Sequence, residues 1–525
     1  MNKLLTSVLG LLTVTATGQP IQSAEKAPRL VVGIHIDQLN ANYLEWFKSG
    51  FGDDGFKKLI KSGTQITNMV YASEKPDGAT AAASFMTGAT PREHGIVGRK
   101  WYDPTTGKQL SCVFDPNYLG NYTQETVSPK NLLASTLGDQ LKQASNEDAR
   151  VFAVGIDADQ TILLGGHNAN GVYWLDSESG KWCTSTYFNY MPSWLQTMND
   201  NGEMDKKVGE TTWSPLKTLS YYQNMPHQQG PSLFQYAFNK PTNSKFAQFK
   251  ASPLVNAEVV RLADEILARE QMGKDAVTDY LIVQLSAANF MENKVISAME
   301  IQDVYYRLDE EIAKLIATAE KSAGKDVEIY VTGNGQAKAA PIERTKYNAY
   351  LGDFYPDRCT SLLNLYLMAI YGNEPWVSTW SNQKIYLNRT KIEEKGLDIA
   401  DIRRKSAAFL TEFSGVTQVF TYDQLLLGTI IPELKQKANA LQPDHAADLY
   451  LEIQGGWNVL ETAPADQYQV DNANFSTPFI LYKPEQKAQT INTPIGVGDV
   501  TATLSRIFRI RPPNACKGVA ILDIE

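Results

Sequence analysis

The stretch Leu30–Gln38, with the sequence Leu-Val-Val-Gly-Ile-His-Ile-Asp-Gln, decides the fold. It is a short β-branched apolar run without polar alternation, which is typical of a strand buried on both faces of a parallel sheet. The run ends on an acid, Asp37. Ligands of open α/β sheets bind beyond the carboxyl ends of the strands, so Asp37 stands where a metal ligand is expected. The alternative is an Asp that caps a helix near residues 41–48.

Strand-like and helix-like segments alternate after this stretch. Buried strands are predicted at 65–71, 150–156, 280–285 and 327–332, and helices at 41–60, 132–141, 253–270 and 301–320. The alternation predicts an α/β protein, a three-layer sandwich around a mostly parallel sheet. We expect the strands at 30–36, 280–285 and 327–332 to share that sheet.

The pattern changes after Tyr355 and returns near the end of the chain, which predicts an insertion in the core. The predicted parts are a signal peptide at 1–24, a core at 25–340, an inserted α+β cap at 341–456 and a return to the core at 457–525. A further insertion, rich in Trp, Tyr and Asn, is expected within the core at about 168–250.

The first residues have the features of an export signal. Lys3 supplies a positive charge, residues 4–14 are apolar, and small residues precede cleavage points after Gly18 or Ala24. The apolar run is too short to span a membrane, and no other stretch is long and apolar enough. We therefore expect an exported protein of the periplasm or outer cell envelope, without a transmembrane segment.

Composition narrows the choice of partners. The 525 residues carry a net charge of −9 and a pI near 5.3, without a basic run, which argues against nucleic acid as a partner. The four cysteines are far apart and lack metal-ligand spacing. Export permits a disulfide such as Cys112–Cys183, and four buried free thiols are the alternative.

A set of short motifs carries a joint resemblance to a known family. One is Met86-Thr-Gly-Ala-Thr-Pro-Arg-Glu-His-Gly-Ile-Val-Gly98, and the others lie at 31–38, 101–103, 128–139, 162–167, 279–283, 383–388, 455–457 and 512–514. Together they resemble the alkaline phosphatase superfamily, especially exported bacterial phosphate monoesterases of the type I phosphodiesterase/nucleotide pyrophosphatase branch. The similarity spans nearly the whole mature chain.

The resemblance implies a two-zinc site at the strand ends, held by Asp and His side chains, and a Thr or Ser nucleophile. Paired metal ions activate the nucleophile and stabilise the charge on the phosphoryl oxygens. Such a site needs a nucleophile and about six ligands, each of a type that zinc accepts.

This sequence departs from the family pattern at nearly every such position. The nucleophile position is Gly78, which has no side chain to attack with. Of the metal positions, only Asp37 keeps a family ligand; the others are Asn289, Asn293, Asn334, Gly335 and Ser476. The phosphate-binding positions carry Arg99, Asp157 and Asp159, and the two acids reverse the charge of the family's Lys and Arg.

A rebuilt nucleophile is conceivable after a shift in register, at Asp77, Thr80 or Ser84. A Thr in a small-residue helix more often bonds the backbone. The interpretation of Asp157 and Asp159 also stays open, since they could be solvated surface acids.

A rebuilt metal site has few candidate ligands. His35 lies two residues before Asp37, on the same strand face, and could bind a metal only in such a site. His94 and His167 match family positions outside the metal set and are interpreted as core histidines. Asp37 with Asn289 and Asn334 could hold one hard cation weakly.

The sequence therefore predicts an exported pseudo-phosphatase that lacks the nucleophile and nearly all metal ligands. No cofactor is expected, although the family has two zinc ions. The expected role is binding or scaffolding in the cell envelope, with an unknown envelope protein or small ligand as partner. The alternative is an active metal-dependent phosphomonoesterase or phosphodiesterase with a rebuilt site.

The sequence also predicts which residue Arg99 contacts. A carboxylate left unpaired in a cleft is costly, so we expect the guanidinium of Arg99 to reach Asp37 and pair with it. The alternative is that Arg99 points to solvent and stacks on Trp101.

Overall fold

The computed structural model describes residues 26–521, apart from 190, 223–232, 240–243, 288–296, 335–351, 429–430, 462–466 and 471–476. The predicted signal peptide at 1–24 lies outside the described residues. Within them, no helix combines the length and the apolar character that a membrane span requires.

The strands of the described residues fall into one large sheet and four small ones. Their bounds are β1 (Leu30–Asp37), β2 (Gly63–Val70), β3 (Lys100–Asp103), β4 (Lys108–Ser111), β5 (Gly120–Asn121), β6 (Val151–Gly155), β7 (Gly171–Leu175), β8 (Trp182–Ser185), β9 (Thr212–Trp213), β10 (Tyr236–Ala237), β11 (Asp279–Ser286), β12 (Val327–Asn334), β13 (Asp353–Phe354), β14 (Val377–Ser381), β15 (Lys384–Leu387), β16 (Val416–Thr421), β17 (Leu449–Ile453), β18 (Asn458–Leu460), β19 (Gln467–Gln469), β20 (Thr477–Tyr482), β21 (Gln489–Ile491) and β22 (Ile495–Gly496).

The helices cover both faces of the large sheet and the outside of the cap. Their bounds are α1 (Ala41–Trp46), α2 (Phe56–Ser62), α3 (Gly78–Thr87), α4 (Pro91–His94), α5 (Leu137–Ala144), α6 (Ala158–Gly165), α7 (Ser193–Asp200), α8 (Glu203–Glu210), α9 (Lys245–Lys250), α10 (Val255–Arg269), α11 (Ala298–Ala323), α12 (Pro356–Tyr371), α13 (Arg389–Glu394), α14 (Ile399–Leu410), α15 (Tyr422–Leu427), α16 (Pro432–Asn439) and α17 (Val497–Ile507).

The large sheet has the order β21-β2-β20-β12-β1-β11-β6-β7-β8-β5, with β22 also paired to β2. Its centre, from β12 to β7, is parallel, whereas β20 runs antiparallel to both neighbours. The expectation that the strands at 30–36, 280–285 and 327–332 share one sheet is confirmed, and so is the mostly parallel α/β sandwich.

Strand β1 is fully buried because both faces of the sheet are covered. Val32, Ile34 and Ile36 pack into one apolar cluster with α10 and α11, and Val31 faces a second cluster built with α3, α5, α6 and α17. Gly33 has a specific role on the second face. A Cβ there would lie 2.3 Å from the hydroxyl oxygen of Tyr330, so only glycine leaves room for that buried ring.

A four-stranded antiparallel sheet, in the order β14-β15-β17-β16, forms a separate layer with its own apolar cluster against α12 and α14. We call the part of the chain around this sheet, predicted at 341–456, the cap. Its ring contacts with the core include Trp101 stacked on His445 at 4.2 Å. Gln109 Nε2 also donates to Ser381 Oγ at 2.8 Å. The precise cap boundaries of 341–456 remain a prediction.

The predicted single helix at 41–60 is wrong, because the chain breaks between α1 and α2. The buried Asp309 of α11 accepts hydrogen bonds from the backbone N–H groups of Gly52 (2.6 Å) and Phe56 (2.8 Å). A long-range acceptor therefore holds the 52–56 turn, and this contact leaves no local pattern in the sequence.

Two helix starts also lie later than predicted. Thr136 and Asp139 form a reciprocal capping box, so the helix expected at 132–141 begins at Leu137. The helix expected at 253–270 begins at Val255; Ser252, before it, donates to the Phe249 carbonyl and accepts from the N–H of Leu254. All four cysteines are free thiols, so the disulfide considered for Cys112–Cys183 does not form.

Candidate functional site

The site lies where the carboxyl ends of β1, β6 and β12 meet the first turns of α3 and α6. The register pairs Asp37 at the end of β1 directly with Asn334 at the end of β12. Both side chains are buried, and Asp37 is only 4% exposed. Adjacent parallel strands deliver their last residues to one edge of the sheet, which is why the two polar groups converge.

Asn334 belongs to a buried set of hydrogen bonds. Its Nδ2 donates to Gln160 Oε1 at 3.1 Å, and its Oδ1 lies 3.2 Å from His35 Nδ1. The other ring nitrogen of His35 contacts the Tyr330 hydroxyl at 2.8 Å. Burial lowers the pKa of His35 to about 3, so the ring stays neutral and both its nitrogens are occupied. His35 therefore serves the core and is not a free metal ligand.

Gly78 is the first residue of α3 and faces this set of bonds. A Cβ at Gly78 would lie 2.6 Å from Gln160 Nε2 and 2.8 Å from Asp37 Oδ1. Real Cβ contacts are almost never this short, so any side chain at position 78 requires Gln160 or Asp37 to move. Neighbouring side chains thus crowd position 78, where the resemblance places a nucleophile.

Two of the three other nucleophile candidates, Asp77 and Ser84, have structural roles. The carboxylate of Asp77 caps α3 by accepting from the backbone N–H of Thr80 at 2.9 Å, and it also accepts from the N–H of Arg99 at 2.7 Å. Ser84 is buried, with Oγ 2.9 Å from Nε2 of the buried His94. The interpretation of His94 as a core histidine is confirmed.

His167 is also structural. Its Nδ1 lies 2.9 Å from the Asp139 carboxylate, and its Nε2 lies 2.9 Å from the Leu132 carbonyl oxygen. Burial alone would lower the pKa of His167, but Asp139 outweighs it and raises that pKa above its ordinary value. His167 joins α5 to the turn after α6, away from the sheet-end site.

Arg99 lies at the centre of the site. Its guanidinium is 3.5 Å from Asp37, 3.4 Å from Asp159 and 3.8 Å from Asp157, and Lys250 Nζ approaches Asp157 at 3.2 Å. We call these five residues the Arg99 cluster. The contacts of Arg99 are ion pairs, longer than a typical hydrogen bond. The predicted pairing of Arg99 with Asp37 is confirmed, and Trp101 stacks on His445 instead.

The start of α6 places both acids in this cluster. Asp157 is the N-cap of α6, and Asp159 lies in its first turn, directly after the end of β6. The side chain of Asp159 is 14% exposed and that of Asp157 is 35% exposed. The alternative that these are solvated surface acids is wrong, because both face Arg99 across the sheet end.

The pKa values of the acids follow from burial and from the two cations. Burial raises the pKa of Asp37 to about 7 despite the neighbouring Arg99. Burial likewise raises the pKa of Asp159 to about 6. Burial would also raise the pKa of Asp157, but Lys250 and Arg99 outweigh it and hold that pKa below its usual value. The acids in turn raise the pKa of Arg99, so the guanidinium stays charged.

Two members of the site were missed in the sequence. Gln160 follows Asp159 at the start of a helix. Its position just after the end of a strand, which locates the two acids, could also have located Gln160. Lys250 is the last residue of α9, in the predicted insertion, and no local motif connects it with Asp157. Its contribution depends on how the insertion packs on the core.

The residues described here do not fit two zinc ions. Asp37 already pairs with a fixed cation, and Asn334 uses both its amide atoms within the protein. In the described ranges, no group of three His, Cys, Asp or Glu side chains is arranged to hold a metal ion. The remaining family metal positions, Asn289, Asn293, Gly335 and Ser476, lie outside the described residues.

Comparison with known proteins identifies the family. The family model for type I phosphodiesterase/nucleotide pyrophosphatase matches residues 31–475, and the chain belongs to this family. It is 27% identical to the alkaline phosphatase PhoV of Synechococcus elongatus over 518 residues, which cover 95% of this chain and 93% of that protein. It is 25% identical to the alkaline phosphatase PafA of Elizabethkingia meningoseptica, with 98% of each chain covered.

The fold comparison agrees with the sequence comparisons. A crystal structure of wild-type PafA superposes with a TM-score of 0.81 at 24% identity, covering 94% of this chain and 98% of that one. The resemblance to the alkaline phosphatase superfamily and the predicted fold class are therefore confirmed.

Proposed function

We propose that this chain is a pseudo-phosphatase, a family member that binds a partner or ligand in the cell envelope without hydrolysing phosphate esters. The observation that carries the proposal is the Arg99 cluster. The guanidinium of Arg99 lies among Asp37, Asp159 and Asp157, so the protein supplies its own cation at the strand ends.

A fixed guanidinium opposes a metal ion at Asp37. Each unit of positive charge placed about 4 Å from it costs roughly 4 kcal/mol at an effective dielectric constant of about 20. A dication doubles that cost, and Asp37 is the one family metal ligand retained in the sequence. Zinc also prefers nitrogen and sulfur ligands or carboxylates, and the amide oxygen of Asn334 is a poor replacement.

The nucleophile position supports the same proposal. Gly78 has no reactive atom, and Gln160 and Asp37 occupy the space that a side chain there would need. Asp157 and Asp159 also stand where the family uses cations to hold phosphate. Since nucleophile and metals act as a unit, restoring only one of them is not expected to restore the reaction.

The alternative is an active hydrolase with a rebuilt site, and the names of the relatives favour it, since PhoV and PafA are both alkaline phosphatases. Such an enzyme would need a new nucleophile and metal ligands. Of the nucleophile candidates, Asp77 and Ser84 are engaged in bonds that hold α3 and α4, and Thr80 is buried within α3.

The deciding experiment measures metal content and hydrolysis on the same sample. Purified protein is dialysed against zinc, its bound zinc is counted by mass spectrometry, and p-nitrophenyl phosphate and bis-p-nitrophenyl phosphate are tested as substrates. We expect much less than one zinc per chain and no turnover above the Asp37→Ala variant. Zinc near two per chain, with hydrolysis that Asp37→Ala abolishes, would establish the enzyme instead.

The export and envelope location belong to the same proposal and rest on the features of residues 1–24. Expression of the full chain with a C-terminal tag, followed by cell fractionation, tests this part. We expect the mature protein in the periplasmic or envelope fraction, shortened by the signal peptide. Sedimentation of the purified chain separates a subunit of an envelope assembly from a monomeric binder of small ligands.

A further inference from the structure

A cavity of about 990 Å³ lies between the core and the cap. We call it the cap–core cavity. The core side is formed by the end of β2 and the loop before α3, and the cap side by the β14–β15 turn, β17 and α16. Its volume is at the upper end of the range for small-molecule sites. It is separate from the Arg99 cluster, although Gly98 and Lys100 on either side of Arg99 line it.

The charged residues that line the cavity are four lysines and three carboxylates. The carboxylates are already engaged. Lys437 pairs with both Glu74 and Glu452, and the Asp77 carboxylate accepts two backbone N–H groups. Glu74 and Glu452 therefore share one ammonium, and Asp77 stays a hydrogen-bonded anion that acts on Lys384 from beyond ion-pair distance.

Lys384 differs from these paired groups. In the described part of the chain, its ammonium has no carboxylate within ion-pair distance and lies over the ring of Tyr450, 5.8 Å from the centroid. Lys100 is exposed at the cavity mouth and makes no ion pair with a described residue. Burial lowers the pKa of Lys384, and the more distant Asp77 carboxylate opposes this effect without outweighing it.

The backbone holds Lys384 at this place. Asn382 and Gln383 form the turn before it, with positive φ angles of 49° and 60°. Positive φ at both positions is the geometry of a two-residue hairpin turn between the antiparallel strands β14 and β15. The carbonyl of Gln383 accepts from Leu451 N at 2.8 Å, so β17 fixes the turn.

The rest of the lining offers neutral hydrogen-bonding groups. The side-chain amides of Asn68, Asn382 and Gln436 line the cavity and make no hydrogen bond to other described residues. Ser73, which is 5% exposed, also lines it, and its hydroxyl has no partner among the described residues. A buried hydroxyl without a partner costs free energy unless a ligand or water satisfies it.

From this arrangement we propose that the cap–core cavity binds an acidic sugar, a hydroxyl-rich ligand that carries a carboxylate or phosphate group, with Lys384 as the residue that recognises the acid. Carboxamides and hydroxyls pair with the sugar hydroxyls, and the ammonium of Lys384 pairs with the anionic group. The proposal rests on the proposed function, in which this chain binds and does not hydrolyse.

Titration calorimetry at low salt tests the proposal with three probes. These are trigalacturonic acid, glucose 6-phosphate and the neutral maltotriose. We expect binding of at least one acidic probe, weaker binding at high salt, and none of comparable strength for maltotriose. The acidic probe that binds more tightly identifies a carboxylate or a phosphate as the preferred group.

Variants assign the binding to Lys384. Lys384→Gln is expected to weaken the acidic probe roughly tenfold to a hundredfold, the range for a lost charged hydrogen bond. Lys384→Arg is expected to keep most of the affinity. The matched control is Lys435→Gln, an exposed lysine on α16 that does not line the cavity, and it should bind like the unmodified protein.

Three results would overturn the proposal: no binding of either acidic probe, equal binding of maltotriose, or full affinity in Lys384→Gln. Release of phosphate from bound glucose 6-phosphate is a different result. It would reject the proposed pseudo-phosphatase function and leave the assignment of Lys384 intact, so the two failures are distinguishable.

Discussion

The Arg99 cluster and the cap–core cavity are neighbours, since Gly98 and Lys100 line the cavity, yet their charged groups are paired differently. In the cluster, Arg99 is surrounded by carboxylates of the same chain. In the cavity, Lys384 faces open space with no described carboxylate within ion-pair distance. A site whose charges are satisfied internally has little to gain from a ligand, whereas an unpaired charge beside a cavity does.

The two sites also differ in the free energy that desolvation of their charged groups costs. The cluster holds three carboxylates and two cations at a buried sheet end, and buried ions rarely repay their desolvation in full. The cavity leaves Lys384 desolvated by burial and without a described carboxylate within ion-pair distance. We therefore expect substitutions in the cluster to change stability and substitutions in the cavity to change binding.

The largest expected effect concerns pH. The pKa of Asp37 in the folded protein, about 7, lies above the ordinary value of 3.8, so the folded state keeps a proton that the unfolded state has released. Stability therefore falls as pH rises from about 4 through 7. Asp159, with a pKa of about 6, acts in the same direction. The difference between the folded and unfolded pKa values of Asp37 corresponds to a loss of about 4 kcal/mol.

The measurement is the free energy of unfolding in urea at several pH values between 5 and 8, for the unmodified protein and for Asp37→Asn. We expect Asp37→Asn to lose less stability as pH rises, and the gap between the two curves to widen up to pH 8. The buried His35 and His94, whose pKa values are lowered, act in the opposite direction and cancel in the comparison. Parallel curves would mean that Asp37 is not held at a raised pKa.

The next effect concerns Arg99. Arg99→Met leaves Asp37 and Asp159 without their cation, and we expect a loss of about 3 kcal/mol at pH 8, the lower end for breaking a buried pair, since Arg99 keeps a third of its exposure. The loss should shrink at pH 5, where both acids can protonate. Urea unfolding followed by tryptophan fluorescence measures it.

The control for Arg99 is Arg92→Met, an exposed arginine on α4 without an ion pair among the described residues, expected within about 0.5 kcal/mol of the unmodified protein. Adding Asp37→Asn to Arg99→Met should recover about 1 kcal/mol or more, because it removes one uncompensated carboxylate. Equal losses in Arg99→Met and Arg92→Met would show that the cluster does not stabilise the fold.

The third effect tests crowding at the nucleophile position. Gly78→Thr forces Gln160 and Asp37 to move, and we expect a loss of about 1–2 kcal/mol without any gain of hydrolysis. The same change in a Gln160→Ala background should cost less. The control is Gly209→Thr on α8, where a Cβ meets nothing within 4 Å. Hydrolysis by Gly78→Thr alone would contradict the proposed function.

The residues of the Arg99 cluster show which parts of the site could be predicted from the sequence. The place of Asp37 and its pairing with Arg99 were predictable, because strand register and the need for a counter-ion are local and general arguments. The roles of Asp157 and Asp159 were left open, since the direction of a helix start relative to a distant loop is a tertiary property. Lys250 carried no signal at all.

The cap shows the same limit. Its mixed helices and strands were predictable from the change in pattern after Tyr355, and the four-stranded sheet agrees with that pattern. The cap–core cavity was not predicted, because it depends on how β14 and β15 dock on the core through contacts such as Gln109 with Ser381. The prediction of a single helix at 41–60 was wrong for the same reason, because the distant Asp309 holds the turn that interrupts it.

The smallest expected effect tests whether Arg99 alone keeps a metal ion out of the cluster. Arg99→Asn removes the cation and restores an amide at the position where the family has Asn. Asp37 and Asp159 then face a shorter neutral side chain, and hard cations such as Mg²⁺ and Ca²⁺ prefer carboxylate and amide oxygens. We therefore expect this variant to bind one divalent cation weakly, with a dissociation constant on the order of a millimolar.

Calorimetry at pH 8, where the carboxylates are most ionised, measures this binding. The comparison variant is Arg99→Asn with Asp37→Asn, which removes one carboxylate from the site and should abolish the heat. The unmodified protein should bind no ion there, because the guanidinium opposes a dication at short range. If the unmodified protein binds the cation as well as Arg99→Asn does, Arg99 does not keep metal ions out of the site. The contrast between a cluster satisfied by its own charges and a cavity with an unpaired one would then fail.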